Sequence, residues 1–313
     1  MSAGTIVPGI AAGTAYDQID HALRGYREYR AFLRGSLDRA GYCRWINSGA
    51  VTAEGLGLTE DQLNLSSRFP VDETAYVDRC LRTLRDAGVI ESTRYPEREF
   101  TGIRRRIDEQ FAHGGRTTYI FPEEARLLFA LAHLLAPRHT AFPGSYYGYW
   151  AVWALPGIQA AGGRAVLIDI DESTMELARH NIEALGLAGG VEFRVADAIA
   201  DGPGLPELDL CVLDAEGPRT GAPEDLTDKA IYYPIMAATT PRLRPGGVLV
   251  AHNMLLENLT TNGYFDGRVA NNRRQYAKFH AHLDEHYDVQ RTFATSEGVG
   301  VYRRRVAAPA GDR

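Results

Sequence analysis

Lysine is almost missing from this chain of 313 residues: among 34 basic side chains only Lys229 and Lys278 are lysines, and both lie in the C-terminal third. A basic excess is missing too, since 40 acidic residues leave a net charge of −6. Nothing therefore steers the chain toward phosphate backbones or anionic lipid, and neither a nucleic-acid nor a membrane partner is expected. Cysteine is scarce. Cys43, Cys80 and Cys211 are scattered without metal-type spacing, and an odd count completes no disulfide framework, so buried reduced thiols in a cytoplasmic protein are expected. No apolar run approaches the ~20 residues needed to span a bilayer; the best, residues 125–137, contains Arg126 and His133. Residues 1–13 carry no Lys or Arg ahead of their short apolar stretch and so lack the charged start of a signal peptide.

What is present is an ordinary globular composition, 45% hydrophobic and 24% charged, whose texture changes once, near residue 137. Before that point the periods are helical. Residues 16–41 place Ile19, Leu23, Tyr26, Tyr29, Phe32, Leu33 and Leu37 at helical spacing opposite arginines, and further helices are predicted over 72–87 (closed by Gly88), 97–112 and 123–135. After residue 137, apolar runs at 139–142, 165–170, 191–195, 208–213 and 248–251 alternate with helical stretches, the signature of βαβ units in a parallel sheet buried on both faces. Residues 287–292 and 298–302 read as a closing antiparallel hairpin turning at Ser296-Glu297-Gly298. The fold class is α/β: a Rossmann-like, doubly wound, seven-stranded mixed sheet with an N-terminal helical cap. Residues 1–13 and 306–313 read as loose ends.

The first strand runs into Phe142-Pro143-Gly144-Ser145-Tyr146-Tyr147-Gly148-Tyr149-Trp150, with a helix expected from about Tyr147. Glycines between a parallel strand and a helix bring bare backbone and a positive helix end close to a ligand. The next strand ends in Leu167-Ile168-Asp169-Ile170-Asp171, where Asp169 can accept hydrogen bonds from both hydroxyls of a ribose while Asp171 or Ser173 suits the cap of the following helix. A third ends in Val195-Ala196-Asp197-Ala198, where an adenine amine can be read, and a fourth in Val212-Leu213-Asp214-Ala215. Three acids at one sheet edge favour a nucleoside ligand. The G-x-x-x-G spacing, in place of G-x-G-x-x-G, disfavours a dinucleotide.

Taken in order with Phe121-Pro122-Glu123-Glu124-Ala125, Leu243-Arg244-Pro245-Gly246-Gly247, Asn253-Met254-Leu255 and Gly298-Val299-Gly300-Val301, these motifs make residues 119–303 resemble a known family. The family is the class I S-adenosylmethionine-dependent O-methyltransferases of the catechol and caffeoyl-CoA type. The resemblance implies a methyltransferase domain over 121–305 behind a cap, or dimerisation region, over 1–120. It implies methyl transfer from S-adenosylmethionine to a hydroxyl of a small-molecule acceptor; the arginine-heavy cap points to a specialised metabolite, and a cytoplasmic homodimer is expected. Gly144, Ser145 and Gly148 would border the methionine part of the cofactor, Asp169 the ribose, and Asp197 with Ala198 the adenine. Asp214 would belong both to this pocket and, with His252 and Asn253, to a divalent metal set for Mg, Mn or another ion that activates the hydroxyl.

The sequence departs from that family at three places. Phe142-Pro143 stands where an acid precedes the first glycine. His252 replaces the aspartate before the asparagine, which moves the metal preference away from Mg²⁺ or makes His252 a general base in a metal-free site. Ala215-Glu216-Gly217 stands where a lysine is expected, and Lys229, after an insertion over 217–226, is the candidate to replace it as a catalytic residue. Two alternatives stay open: a metal-independent N-methyltransferase on the same fold, and a non-catalytic or regulatory protein that keeps the cofactor pocket.

Overall fold

Runs of β-branched and aliphatic residues form the seven strands of one sheet in the structure, a computed structural model that describes residues 13–306. They are β1 His139–Pro143, β2 Arg164–Asp169, β3 Val191–Val195, β4 Leu208–Leu213, β5 Leu243–Ala251, β6 Tyr287–Phe293 and β7 Val299–Arg304. Their spatial order is β3-β2-β1-β4-β5-β7-β6. Strands β1 to β5 are parallel, and β7 runs antiparallel to both of its neighbours.

Side chains alternate across this sheet, and both faces are buried. Leu210 and Val212 of β4 join Val248 and Val250 of β5 in a core with the helices Pro122–Leu135 and Ala151–Ala160. Cys211 and Leu213 join Leu249 and Ala251 on the other face, under the helices Tyr232–Thr239 and Ala277–His286. Burial on both sides is why these strands read as unbroken apolar runs. The three cysteines are free and buried, and desolvation pushes the thiols of Cys80 and Cys211 up to about 12. Among the described residues no helix is long and apolar enough to cross a membrane.

The periodicity over 16–41 predicts one helix, but the chain forms Ala15–Leu23 and Arg27–Leu33 and begins a third, Arg39–Ile46, just before the end of that range. Gly25 sits at the first break, and Gly35, with φ +70°, turns the chain at the second. Ile19, Leu23, Tyr29, Phe32 and Tyr42 then build a core that also takes in Phe121, Leu255, Phe265 and Val269 from the sheet-bearing part. The other predicted helices occur as Glu73–Asp86, Glu97–Gln110 and Pro122–Leu135. Val77, Leu81, Leu84, Phe100, Ile103 and Ile107 bury into the main sheet's core, so these helices do not share the N-terminal core. Gly13 is not loose: with Thr14 it pairs in parallel with Thr117–Thr118. The remaining expected loose ends, residues 1–12 and 307–313, lie outside the described residues.

The closing hairpin turns where the sequence predicts, yet its turn is buried. Glu123 Oε1 accepts from the Ser296 N–H and hydroxyl, both at 2.7 Å. Glu124 Oε1 accepts from the Thr295 hydroxyl at 2.6 Å and the Glu297 N–H at 2.9 Å. From the N-terminal helices, the buried Arg68 guanidinium donates to the carbonyls of Ser296, Thr295 and Glu257 at 2.8, 3.1 and 3.0 Å. Arg68 thus satisfies three buried carbonyls at once. Arg68→Met is expected to lower unfolding stability in urea by about 2–4 kcal/mol, whereas Arg105→Met, at an exposed position, is expected to change it by less than about 0.5 kcal/mol.

Candidate active site

Strands β1 and β4 are neighbours although the chain visits β2 and β3 between them, so a crevice opens at their carboxyl ends. Gly144 leaves β1 with φ +71°, and a Cβ there would strike the backbone of Ala215 just beyond β4. Only glycine lets the two loops approach this closely. Thr118, Ile120, Phe142, Gly144, Ser145, Tyr146, Tyr149, Trp150 and Asp214 line the resulting cleft. At the end of β2, Asp169 accepts from the Tyr146 N–H at 3.0 Å and the Asp171 N–H at 3.1 Å, which fixes its carboxylate. Burial raises its pKa above the ordinary value, against the pull of these N–H groups. The next residue, Ile170, exposes 76% of its surface beside that carboxylate.

The chain leaving β5 stays on the sheet for one more residue, the His252 N–H donating to the Leu213 carbonyl at 3.0 Å. The imidazole that follows is buried between two carboxylates. Its Nε2 lies 2.9 Å from Glu124 Oε2 and its Nδ1 3.4 Å from Asp214 Oδ1. Burial opposes a charge on the ring, but the two acids outweigh it and hold the imidazole up at about 10. Glu124 is itself fixed, taking the Phe121 N–H at 2.9 Å besides His252, Thr295 and Glu297. The Trp150 ring packs against the imidazole, 4.9 Å between centroids, and its indole N–H has no hydrogen-bond partner among the described residues.

After β4 the chain departs on a loop and returns through a narrow neck. The Gly217 N–H donates to the Asp228 carbonyl at 2.9 Å and the Asp228 N–H to the Pro218 carbonyl at 3.2 Å. A Cβ on Gly217 would collide with the Leu226 carbonyl, so the neck needs glycine. The closure brings Lys229 back to the end of β4. Its Nζ donates to the Ala215 carbonyl at 3.0 Å and lies 3.6 Å from Asp214 Oδ1 and 3.9 Å from Glu216 Oε2. Among the described residues four non-glycines take positive φ, and three of them, Tyr146, Asp228 and Asn253, lie on these loops or beside these side chains. Such backbone costs of order 1–3 kcal/mol per residue and collects where function over-determines geometry.

Residues 143–254, from the end of β1 to just beyond β5, match the family model described as a methyltransferase domain. This stretch is a methyltransferase domain. Solved structures with a similar fold include a methyltransferase from Geobacter sulfurreducens at 22% identity, covering 66% of this chain and 87% of that one with a TM-score of 0.46. An O-methyltransferase from Bacillus cereus in complex with SAH is 18% identical and covers 75% of this chain and all of its own, TM-score 0.47. The O-methyltransferase TomG from Streptomyces achromogenes, in complex with SAM, is 21% identical and covers 75% and 99%, TM-score 0.46. No curated protein matches the chain.

Within the methyltransferase domain the residues at the β1 and β2 ends fit a nucleoside cofactor. The Gly144 cradle, the fixed Asp169, the exposed Ile170 and the unpartnered Trp150 N–H are features a folded chain keeps for a ligand. Gly144, Ser145, Asp169 and Asp214 gather at this edge, while one expectation needs correction: the helix starts at Ala151, not near Tyr147. Gly148, with φ +83°, lets the loop pack on Ala178. Asp197, exposed, caps the short helix Ala198–Asp201 by accepting from the Ile199 N–H at 2.8 Å.

His252 Nε2 is committed to Glu124 Oε2 at 2.9 Å, whereas Nδ1, 3.4 Å from Asp214 Oδ1, has no hydrogen-bond partner among the described residues. Among the described residues no group of three or more His, Cys, Asp or Glu is disposed to hold a metal ion, so the structure shows no metal set at Asp214, His252 and Asn253. Sequence reasoning gives no role to Glu124 and places Trp150 in a mostly core aromatic run from which one ring can face the sulfonium or substrate. A Glu after Pro at a helix start reads as a partner of the helix dipole, and a Trp in an aromatic run reads as core.

Three buried groups around the hairpin turn and the cleft share one sign of pH dependence. Burial together with neighbouring Glu124 pushes Glu123 up to about 8, burial pushes Glu297 to about 7, and His252 stands at about 10. Each folded pKa lies above its unfolded value, so each group's contribution is complete below that unfolded value and is lost as pH rises through the folded one. Below about pH 6.5 His113, His133, His280 and His282, pushed down by burial, work the other way, so urea midpoints should fall from about pH 7 to about pH 10. His252→Gln should flatten the part above about pH 7. A midpoint rising with pH across that range would contradict the charge assignment.

Proposed function

We propose that this chain transfers a methyl group from S-adenosylmethionine to an acidic hydroxyl, of phenol type, on a small molecule. The observation that carries the reading is the return of Lys229 to Asp214 at the edge of the same cleft that holds the Gly144 and Asp169 cradle. When bound, S-adenosylmethionine supplies a methyl group on a positively charged sulfur. Gly144 and Ser145 border its methionine end, Asp169 takes the ribose hydroxyls and Ile170 offers an apolar surface to the base. The Trp150 N–H is available to an oxygen of either ligand.

Lys229 holds the acceptor oxygen. A neighbouring cation within ~4–6 Å lowers a hydroxyl pKa by about 1–3, which brings a phenol near 10 within reach of neutral pH but leaves a water-like hydroxyl near ~16 out of reach. The hydroxyl proton leaves to water, the acceptor oxygen forms its bond to the methyl carbon, and the C–S bond breaks with its electron pair left on sulfur. Lys229 acts by charge and position.

Calorimetry with S-adenosylhomocysteine tests the premise. Binding is expected, and Asp169→Ala should weaken it about tenfold or more; no heat at millimolar ligand would end the reading. Lys229 is tested with the phenol turned over fastest in a panel. Lys229→Met should lower kcat at least about 100-fold, while Lys229→Arg, which keeps the charge, should stay within about tenfold of the parent. Equal loss in both variants would make Lys229 a base and not a fixed cation.

A further inference from the structure

Two loops frame the Lys229 side of the cleft, residues 214–228 after β4 and residues 252–265 after β5. Each holds a non-glycine residue in left-handed backbone, Asp228 with φ +48° and Asn253 with φ +55°. Resting on the reading that Lys229 holds the acceptor oxygen, we infer that Gln275 and Tyr276 are positioning residues for the acceptor half of the site, a single helix junction fixing both left-handed residues from behind.

Left-handed backbone on a residue with a side chain persists only where its surroundings hold it. The helix Asp266–Gln275 ends and Ala277–His286 begins with Tyr276 between them, and this break sends two consecutive side chains to different loops. Gln275 Nε2 donates to Asp228 Oδ2 at 3.2 Å, and the Tyr276 hydroxyl donates to the Asn253 carbonyl at 3.0 Å. Neighbouring residues repeat the pattern. Asn272 and Arg273 donate to the carbonyls of Leu255 and Leu256 at 3.0 and 2.7 Å, and Lys278 meets both carboxylate oxygens of Asp225 at 2.6 Å. Residues 272–278 thus hold both loops.

Asp228 matters because Lys229 is the next residue. Its N–H and carbonyl are tied to Pro218 and Gly217 within the loop's own neck, whereas Gln275 ties its carboxylate to a helix outside the loop. Rotation at Asp228 carries Lys229 Nζ away from the Ala215 carbonyl and Asp214, and a misplacement of about 1 Å at a reacting group costs on the order of 100-fold in rate. Tyr276 reaches the same place by a second route. Its ring centroid lies 5.3 Å from that of Tyr232, which is itself 5.5 Å from Lys229 Nζ. The cofactor cradle is held otherwise, Asp169 by the N–H groups of Tyr146 and Asp171. A change at Gln275 therefore reaches the acceptor half and spares the cofactor half.

Because the full chain has only two lysines, ¹³Cε-lysine labelling gives one signal for Lys229 and one for Lys278, assigned with Lys278→Arg. Gln275→Met, which keeps the side chain's length and removes its donor, is expected to shift or broaden the Lys229 signal and leave that of Lys278 in place. Tyr276→Phe, which keeps the buried ring, is expected to do the same. A Lys229 signal that stays unmoved in either folded variant would overturn the role of that residue. Turnover of the phenol used most rapidly gives a second readout. Gln275→Met should lower kcat about tenfold while the acceptor KM and the S-adenosylhomocysteine Kd stay within about threefold of the parent, a split that general destabilisation does not produce. In an Asp228→Gly background, where the bond's acceptor is gone, Gln275→Met should have no further effect; full additivity would overturn the link between the two residues. Failure of S-adenosylhomocysteine to bind the parent ends the cofactor reading, and the positioning of Lys229 is then judged by the lysine signals alone.

Discussion

A buried imidazole between two carboxylates is affordable only when every oxygen behind it is also satisfied, and the organisation around the cleft follows from that requirement. Glu124 meets His252 on one oxygen and the hairpin turn on the other. The turn must then be buried, and burying it leaves its carbonyls without water. Arg68 reaches in from the N-terminal helices to take two of them, together with Glu257. The N-terminal helices, the helix Pro122–Leu135, the end of β5 and the closing hairpin thus form one connected polar system around the His252 ring. A half-satisfied version would cost more than an apolar one, which is why loss of any member is felt by the others.

That system also defines what the cleft can do. His252 and Lys229 stand on either side of Asp214 at the wall of the cleft and are held there by backbone and carboxylates. Charge pre-set in a site partly closed to water is strong and needs no reorganisation during reaction. The cost lies in the strained backbone at Asp228 and Asn253, next to the two residues that carry the charge. The N-terminal helices contribute to the same wall, since their core includes Leu255, Phe265 and Val269 from the stretch after β5.

Much of this was legible in the sequence, and the parts that were not share a cause. The strands were readable because a sheet buried on both faces requires uninterrupted runs such as Leu208–Leu213, and the acids at their ends stand out against such runs. Gly144 was readable because a strand that runs straight into glycine marks a place where bare backbone must come close to a neighbour. Asp197 reads two ways, since an acid that caps a short helix, as it does, and an acid that awaits a ligand look identical in a string. The single helix over 16–41 was misread because apolar spacing survives a turn at Gly25 that shifts the axis without disturbing the stripe. Lys229 was visible only as an oddity of composition; its contact with Asp214 depends on a loop neck set by Gly217. Glu124 was invisible as a site residue because its partner lies 128 positions away and its local setting already accounts for an acid there. Contacts made across the fold by residues with a sufficient local reason are those a sequence hides.

The most direct measurement is the ¹⁵N spectrum of the His252 imidazole in the full chain at pH 8, assigned by comparison with His252→Gln. The account predicts two protonated ring nitrogens at that pH, because Glu124 and Asp214 hold the ring's pKa near 10. A neutral ring with one bare nitrogen would contradict it, and would return His252 to the roles of metal ligand or base.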